Sequence, residues 1–368
     1  MTAGKASIRL IDAGTVPPLR SQTIYHGLAY AREETTPDTI VLATPAEPYV
    51  CVGFHQDIAH EIDADFCQAQ GLLVLRRETG GGAVYLDSDQ LFVQWVMGEG
   101  SLPTRIDRRF ELFSRPLVST YQQFGIDAQF RPVNDVHIEG RKIAGTGAAR
   151  IGNAEVLVGN FIFDFDTAVM TKVLRAPSES FRDQVDRSLS KYMTSMSREL
   201  DAVPQRSEVS HAYIGECEKA LQRELEVGEL TAPEIEAIEE VERRFLSAGF
   251  LTRPGGLRRP GVKIHEDVHV VERVHDVDGG SIRVTARLRE GRIEDVSLVG
   301  DTRTGLRRAL ELEALLQGVE LRPEPITSAV QTYQEHQRVT PDLEANAWVQ
   351  AILSLHSQPK DLNHDRRP

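Results

Sequence analysis

The chain has 368 residues, 40% of them hydrophobic and 26% charged, with a formal net charge of -13 at neutral pH. That length exceeds one typical domain, so two domains with sizeable cores are expected. The acidic balance excludes an extended nucleic-acid footprint, which needs a clustered basic surface, and no apolar run approaches the ~18 residues of a transmembrane helix.

The N-terminus carries no charged segment followed by an apolar core, so a cytoplasmic location is expected. After a polar start, Leu19 to Glu34 places Ile24, Leu28 and Ala31 at helical spacing, with Ser21 available as a cap. Thr39 to Ala43 and Tyr49 to Gly53 read as strands around the turn residues Pro45 to Pro48. Ile58 to Gln70 reads as a helix ending at Gly71. Leu72 to Leu75 and Leu91 to Met97 are strand patterns, and Phe110, Phe113, Leu117, Tyr121 and Phe124 mark one helix face, interrupted by Pro116. From Ala128 to Phe165 the pattern returns to strands, with a turn at Glu139 and Gly140. Helices around Ser207 to Leu225 and Pro233 to Ala248 close a domain spanning 1–248.

Gly249 to Gly261 is rich in glycine, proline and arginine and reads as a linker. A smaller domain is expected at 262–356, with strands Val262 to Val271, Ser281 to Leu288 and Arg292 to Val299. Helices follow from Thr304 to Leu316, Ile326 to Gln337 and Leu343 to Leu355, and residues 357–368 form a tail. His265, His269 and His275 share parity in the first strand pattern, which predicts a solvated face.

Between the strands at 72–75 and 91–97 the chain reads Arg76, Arg77, Glu78, Thr79, Gly80, Gly81, Gly82, Ala83, Val84, Tyr85, Leu86, Asp87. Three consecutive glycines are costly in chain entropy and let backbone pass where side chains would collide. Their N–H groups, with the Arg77 guanidinium and Thr79, would suit an anion. A glycine-rich hairpin turn is the other reading that the residues leave open. Further on stand Asn134, Asp135, then Gly140, Arg141, Lys142, Ile143, Ala144, Gly145, Thr146. Lys142 reads either as a charge donor or as a solvated hairpin lysine. Asn134 and Asp135 read either as ligand-binding groups or as an Asx turn.

The two stretches, in this order and at this separation, resemble the signature of the lipoate–protein ligase family. The resemblance implies an α+β chain: a mixed-sheet catalytic domain of biotin/lipoate-ligase type with a second, smaller α+β accessory domain. It implies ATP-dependent activation of lipoate or octanoate to an acyl-adenylate, with Mg²⁺. The acyl group would then pass to a lysine of a lipoyl-acceptor protein domain, of a dehydrogenase complex, a glycine-cleavage-like protein or another such carrier. Lys142 takes the catalytic role. Arg77, Thr79, Gly80, Gly81, Gly82, Ala83, Val84, Tyr85, Asn134, Asp135, Gly145 and Thr146 line the adenylate site, and Asp135 is a candidate Mg²⁺ ligand. A monomer is expected, with neither nucleic acid nor membrane as partner.

Two departures stand out. Leu86 occupies a position where many members carry histidine, and Leu157, Val158, Gly159, Asn160 stand where many have two histidines before Gly-Thr. Aliphatic groups there remove hydrogen-bonding capacity. Related acyltransferases use a cysteine relay near the lysine. Here Cys51, Cys67 and Cys217 all fall outside that region, which favours ATP-dependent ligation over ATP-independent transfer; non-catalytic binding of nucleotide or lipoyl group is a third reading. No Walker A sequence occurs, and Gly145 to Ala149 lacks the third glycine of a dinucleotide fingerprint.

Overall fold

The computed structural model describes residues 7–255, 261–265, 267–278, 280–302, 305–336 and 344–356. Residues 256–260 of the expected linker and the expected tail at 357–368 lie outside the described residues.

In chain order the first elements are β1 (Ile8–Val16), α1 (Pro18–Ala31), β2 (Thr39–Pro45), β3 (Tyr49–Val52), α2 (Ile58–Glu61) and α3 (Ala64–Ala69). Then come β4 (Leu73–Arg76), β5 (Val84–Leu86), β6 (Gln90–Met97), α4 (Ile106–Gln123), β7 (Gln129–Arg131), β8 (Asp135–Ile138), β9 (Arg141–Ile151) and β10 (Ala154–Ile162). They are followed by α5 (Thr167–Val173), α6 (Glu179–Tyr192), α7 (Met196–Glu199), α8 (Arg206–Leu221), β11 (Leu225–Val227), α9 (Ala232–Phe245) and α10 (Ala248–Leu251). The remainder is β12 (Val262–His265), β13 (Val268–Val277), β14 (Gly280–Arg289), β15 (Arg292–Thr302), β16 (Gly305–Arg308), α11 (Leu310–Leu315), α12 (Pro323–His336) and α13 (Ala345–Leu353).

The chain groups into two compact units, one of residues 1–175 and 192–256, the other of 176–191 and 257–368. Composition suggests a single cut at 249, but the segment 176–191 groups with the later residues. Within that second unit Gln184 donates to Asp295 at 3.0 Å and Lys191 to Glu294 at 2.6 Å.

The first unit is built on an eight-stranded mixed sheet ordered β11-β1-β2-β6-β10-β9-β8-β7, with a small sheet β4-β3-β5 beside it. Strand alternation splits the core. Leu42, Trp95 and Leu157 pack with Phe113, Leu117 and Tyr121 of α4 and Tyr213 of α8. Their neighbours Val41, Val96 and Val156 turn the other way, onto Ile24 and Leu28 of α1 and Ile238 of α9. The second unit holds a five-stranded antiparallel sheet, β12 to β16, with a core that includes Ile282, Leu298, Leu312, Ile326 and Trp348. This is the expected α+β architecture.

Several local expectations are corrected. β1 was hidden by the polar start. Ser21 is no cap: Pro18 opens α1, and the buried Ser21 hydroxyl donates to the Pro18 carbonyl at 2.7 Å and meets the Tyr49 hydroxyl at 2.9 Å. The helix expected at 58–70 is two helices, because the Asp63 side chain accepts from Phe66 N–H and starts a new one. The first strand pattern of the second unit is a hairpin with a register shift between Lys263 and His265. His265 is therefore buried while His269 and His275 are half-buried, and the three histidines do not share one solvated face. The helix expected from 304 begins only at Leu310, after β16. Among the described residues no helix is long and apolar enough to cross a membrane.

Candidate active site

β4 delivers the arginine pair to the base of the glycine loop. Arg76 is fully buried and donates to the carbonyls of Gly53, Phe54, Gln56, Leu251 and Arg253 at 2.6 to 3.3 Å. Burial lowers its pKa from the usual arginine value, and the carbonyl dipoles replace its lost hydration. Arg77 donates to Gly80 O at 2.9 and 3.2 Å, to Gly82 O at 2.9 Å and to Cys51 O at 3.1 Å. The guanidinium expected to grip an anion is instead a clasp beneath the loop. Thr79 O accepts from Phe54 N–H at 3.1 Å. On the other side, buried His26 accepts Glu78 N–H on Nε2 at 3.2 Å, while its Nδ1 lies 2.6 Å from Gln22 O. Burial lowers the His26 pKa to about 3, so the ring is neutral at physiological pH.

Carbonyls are thus tied down while amides are left over. Among the described residues, the N–H groups of Gly80, Gly81 and Gly82 have no hydrogen-bond acceptor in the structure. Gly81 has a φ of +101° and Gly81 and Gly82 are exposed. The loop comes so close to the end of β3 that a Cβ on Gly53 would lie 2.2 Å from Gly81 O.

The lysine sits on the second strand of the hairpin β8–β9, whose turn has positive φ at both Glu139 (47°) and Gly140 (82°), the backbone of a two-residue hairpin loop. A register shift between Val136 and His137 sets Lys142 opposite His137. Lys142 Nζ lies 2.7 Å from Asp135 Oδ1. Burial alone would raise the Asp135 pKa, but the Lys142 charge, aided by His137, holds it well below the usual carboxylate range. Asn134 Nδ2 donates to Thr146 O at 2.8 Å and Thr146 Oγ1 to Asn134 O at 2.6 Å. These two side chains lock the hairpin to itself instead of facing a ligand.

Gly145 and Gly147 point the same way from β9, because side-chain direction alternates along a strand. A Cβ on Gly145 would sit 3.3 Å from Lys142 Nζ, and one on Gly147 would sit 3.7 Å from Thr79 Cβ and 3.4 Å from Val158 Cγ2. Lys142 and the glycine loop therefore stand over one face of β9, about 7 Å apart along the strand. Ladder pairing places Val41, Gln94 and Val158 in one row with Gly147, and Phe92 and Asn160 in the next. Val158 is thus on the floor between the two halves. Leu86 instead packs with Tyr49, Cys51, Leu75 and Phe92. Ala83 and Tyr85 are buried, Val84 is half-buried opposite Cys51, and burial, then Asp87, Asp166 and Asp89, push the Tyr85 phenol up to about 12.

Asp135, expected as a candidate Mg²⁺ ligand, is the counter-ion of Lys142. One carboxylate already neutralised by a lysine does not make a divalent-metal site, and among the described residues no cluster of three His, Cys, Asp or Glu side chains could hold a metal. The three thiols are all buried, and burial raises the pKa of each. His26 and Gln90 were not singled out from sequence, and Asn160 only as part of a departure from the family pattern. Each is an ordinary polar residue in a regular element, and only the fold brings it to the site.

A mixed sheet thus carries a glycine loop and a strand lysine over one face of β9. The chain belongs to the lipoyl protein ligase A/B catalytic domain family, whose model matches residues 19–218. Residues 269–352 match the bacterial lipoate protein ligase C-terminus. The chain is 29% identical to the octanoyltransferase LipM of Kyrpidia tusciae over 60% of this chain and 88% of that one. To lipoate–protein ligase 1 of Staphylococcus aureus it is 23% identical over 78% of this chain and 82% of that one. Among solved structures, a bipartite lipoate protein ligase from Thermoplasma acidophilum has a TM-score of 0.62 at 24% identity, over 70% of this chain and all of that chain. LipL1 of P. falciparum in complex with lipoate has a TM-score of 0.53 at 14% identity, over 94% of this chain and 99% of that one. At these identities the structures speak for the fold alone.

Proposed function

We propose that the protein is an ATP-dependent lipoate or octanoate ligase. The acid's carboxylate oxygen attacks the α-phosphorus of ATP and pyrophosphate leaves, giving the mixed anhydride acyl-AMP. The ε-amine of a lipoyl-acceptor lysine then attacks the acyl carbon, AMP departs and the amine loses a proton. Negative charge builds on phosphate and carboxylate together in the first step, and fixed donors aimed at that charge lower its barrier. In this reading the amides of Gly80 to Gly82 and the Lys142 ammonium supply them. Asp135 orients the lysine through their ion pair at 2.7 Å. No step is routed through a protein-bound metal, because the donor set around Asp135 does not fit one.

The observation that carries ligation over transfer is the burial of every cysteine, at 0% exposure for Cys51 and Cys217 and 1% for Cys67. Covalent relay needs an accessible thiolate. The similarity to octanoyltransferases supports the second reading, in which octanoate moves from a carrier thioester without ATP. Incubation with lipoate or octanoate, ATP and Mg²⁺ separates them. Ligation predicts acid-dependent ATP–pyrophosphate exchange and acylation of an acceptor domain by intact mass. Absence of exchange, with a thioester adduct on one of the three cysteines, would replace this reading by the transferase one.

A further inference from the structure

The ladder between β9 and β10 ends at the pair Thr146 and Gly159. One step further, Gly145 N–H has left β10 and is taken by a side chain: Asn160 Oδ1 accepts it at 3.3 Å. Asn160 Nδ2 donates to Gln90 Oε1 at 2.7 Å, and Gln90 Nε2 donates to Tyr85 O at 3.3 Å. Gln90 is 1% exposed. Three hydrogen bonds thus run from the backbone of the glycine-motif strand to the glycine on which the Lys142 ammonium rests.

The chain has only one workable polarity. Tyr85 offers a carbonyl, which can only accept, and Gly145 offers an N–H, which can only donate. Gln90 must therefore present nitrogen to Tyr85 and oxygen to Asn160, and Asn160 must present nitrogen to Gln90 and oxygen to Gly145. Two carboxamides in series satisfy both ends. A carboxylate at either position breaks the sequence of donors, and one hydroxyl is a shorter bridge.

We propose that Gln90 and Asn160 are a positioning pair that fixes the lysine hairpin against the glycine-motif strand through the Tyr85 carbonyl and the Gly145 amide. They touch no reacting atom, and act by holding Gly145, and with it Lys142, in place over the floor of the site. The kinetic part of the test rests on the ligase reading; the structural part does not.

The test uses the full chain with Asn160→Asp, Gln90→Glu, Asn160→Ala and the double variant Gln90→Leu/Asn160→Ala. The two isosteric changes preserve shape and destroy polarity. Asn160→Asp and Asn160→Ala are expected to lower kcat for pyrophosphate exchange about 10-fold, with KM for the acid within about 3-fold. The double variant is expected to be no worse than Asn160→Ala, since members of one network are not additive. Hydrogen exchange at the Gly145 amide is expected to accelerate at least 10-fold in Asn160→Ala, with circular dichroism unchanged. Unaltered Gly145 protection, or losses at the two positions that multiply, would overturn the proposal. A wild-type protein without exchange activity would instead overturn the ligase reading and leave Gly145 protection to decide on the pair.

Discussion

Two arginines hold the glycine loop by its carbonyls, whereas one carboxylate holds the hairpin lysine by its charge. Among the described residues neither Arg76 nor Arg77 makes an ion pair; their guanidinium groups donate to peptide carbonyls, and Asp57 adds a longer-range attraction at Arg76. Lys142 has a buried carboxylate at 2.7 Å. The loop is therefore a fixed, electropositive cradle with amides outward, and the hairpin is a neutral pair that gains net attraction only when an anion arrives to share the lysine. One region supplies standing potential, the other a directed donor.

The sharpest break in that comparison is Lys142→Ala, expected to lower exchange by about 10²–10³-fold. It also leaves Asp135 buried with only His137 beside it, at a cost of ~3 kcal/mol. Adding Asp135→Asn is expected to recover thermal stability and none of the activity, which separates the charge's catalytic work from its structural partner. Recovery of activity in the double variant would mean that Lys142 only balances Asp135.

Next comes Arg77→Leu, which frees the carbonyls of Gly80 and Gly82. Exchange is expected to fall about 10-fold through KM for ATP, since a loosened cradle loses pre-organisation. An unchanged KM would show that the loop keeps its shape without the clasp.

On stability instead of catalysis, pH acts through His26. Its folded pKa is depressed from 6.5 to about 3, so its contribution is fully present above about 6.5 and is lost as pH falls from there toward 3. Within that window stability is expected to drop by up to ~1.4 kcal/mol per pH unit from this group. Unfolding followed from pH 7 to 4 should show a shallower slope in His26→Gln, and an identical slope would remove His26 from the account.

How much of this was legible follows from particular residues. Three glycines beside two arginines, and a lysine between Gly140 and Gly145, announce a site because such backbone is costly without one. What each arginine binds could not be read, since a guanidinium suits a carbonyl as well as a phosphate. Nor could the register shift at Val136, which sets where Lys142 points, or the shift at Lys263, which buried a histidine expected outside. β1 was lost because Asp12, Ala13 and Gly14 interrupt its apolar alternation. The helices between 165 and 206 are short or carry charged faces, and their burial comes from tertiary packing.

The central claim is that free loop amides and Lys142 converge on one acyl-adenylate. Residue-resolved amide hydrogen exchange with and without a non-hydrolysable lipoyl-adenylate analogue tests it directly. Gly80, Gly81 and Gly82 are expected to exchange freely in the apoprotein and to gain at least 10-fold protection with the analogue, and Lys142→Ala to weaken that gain. Tight binding of the analogue with the three glycine amides still exchanging freely would contradict the account.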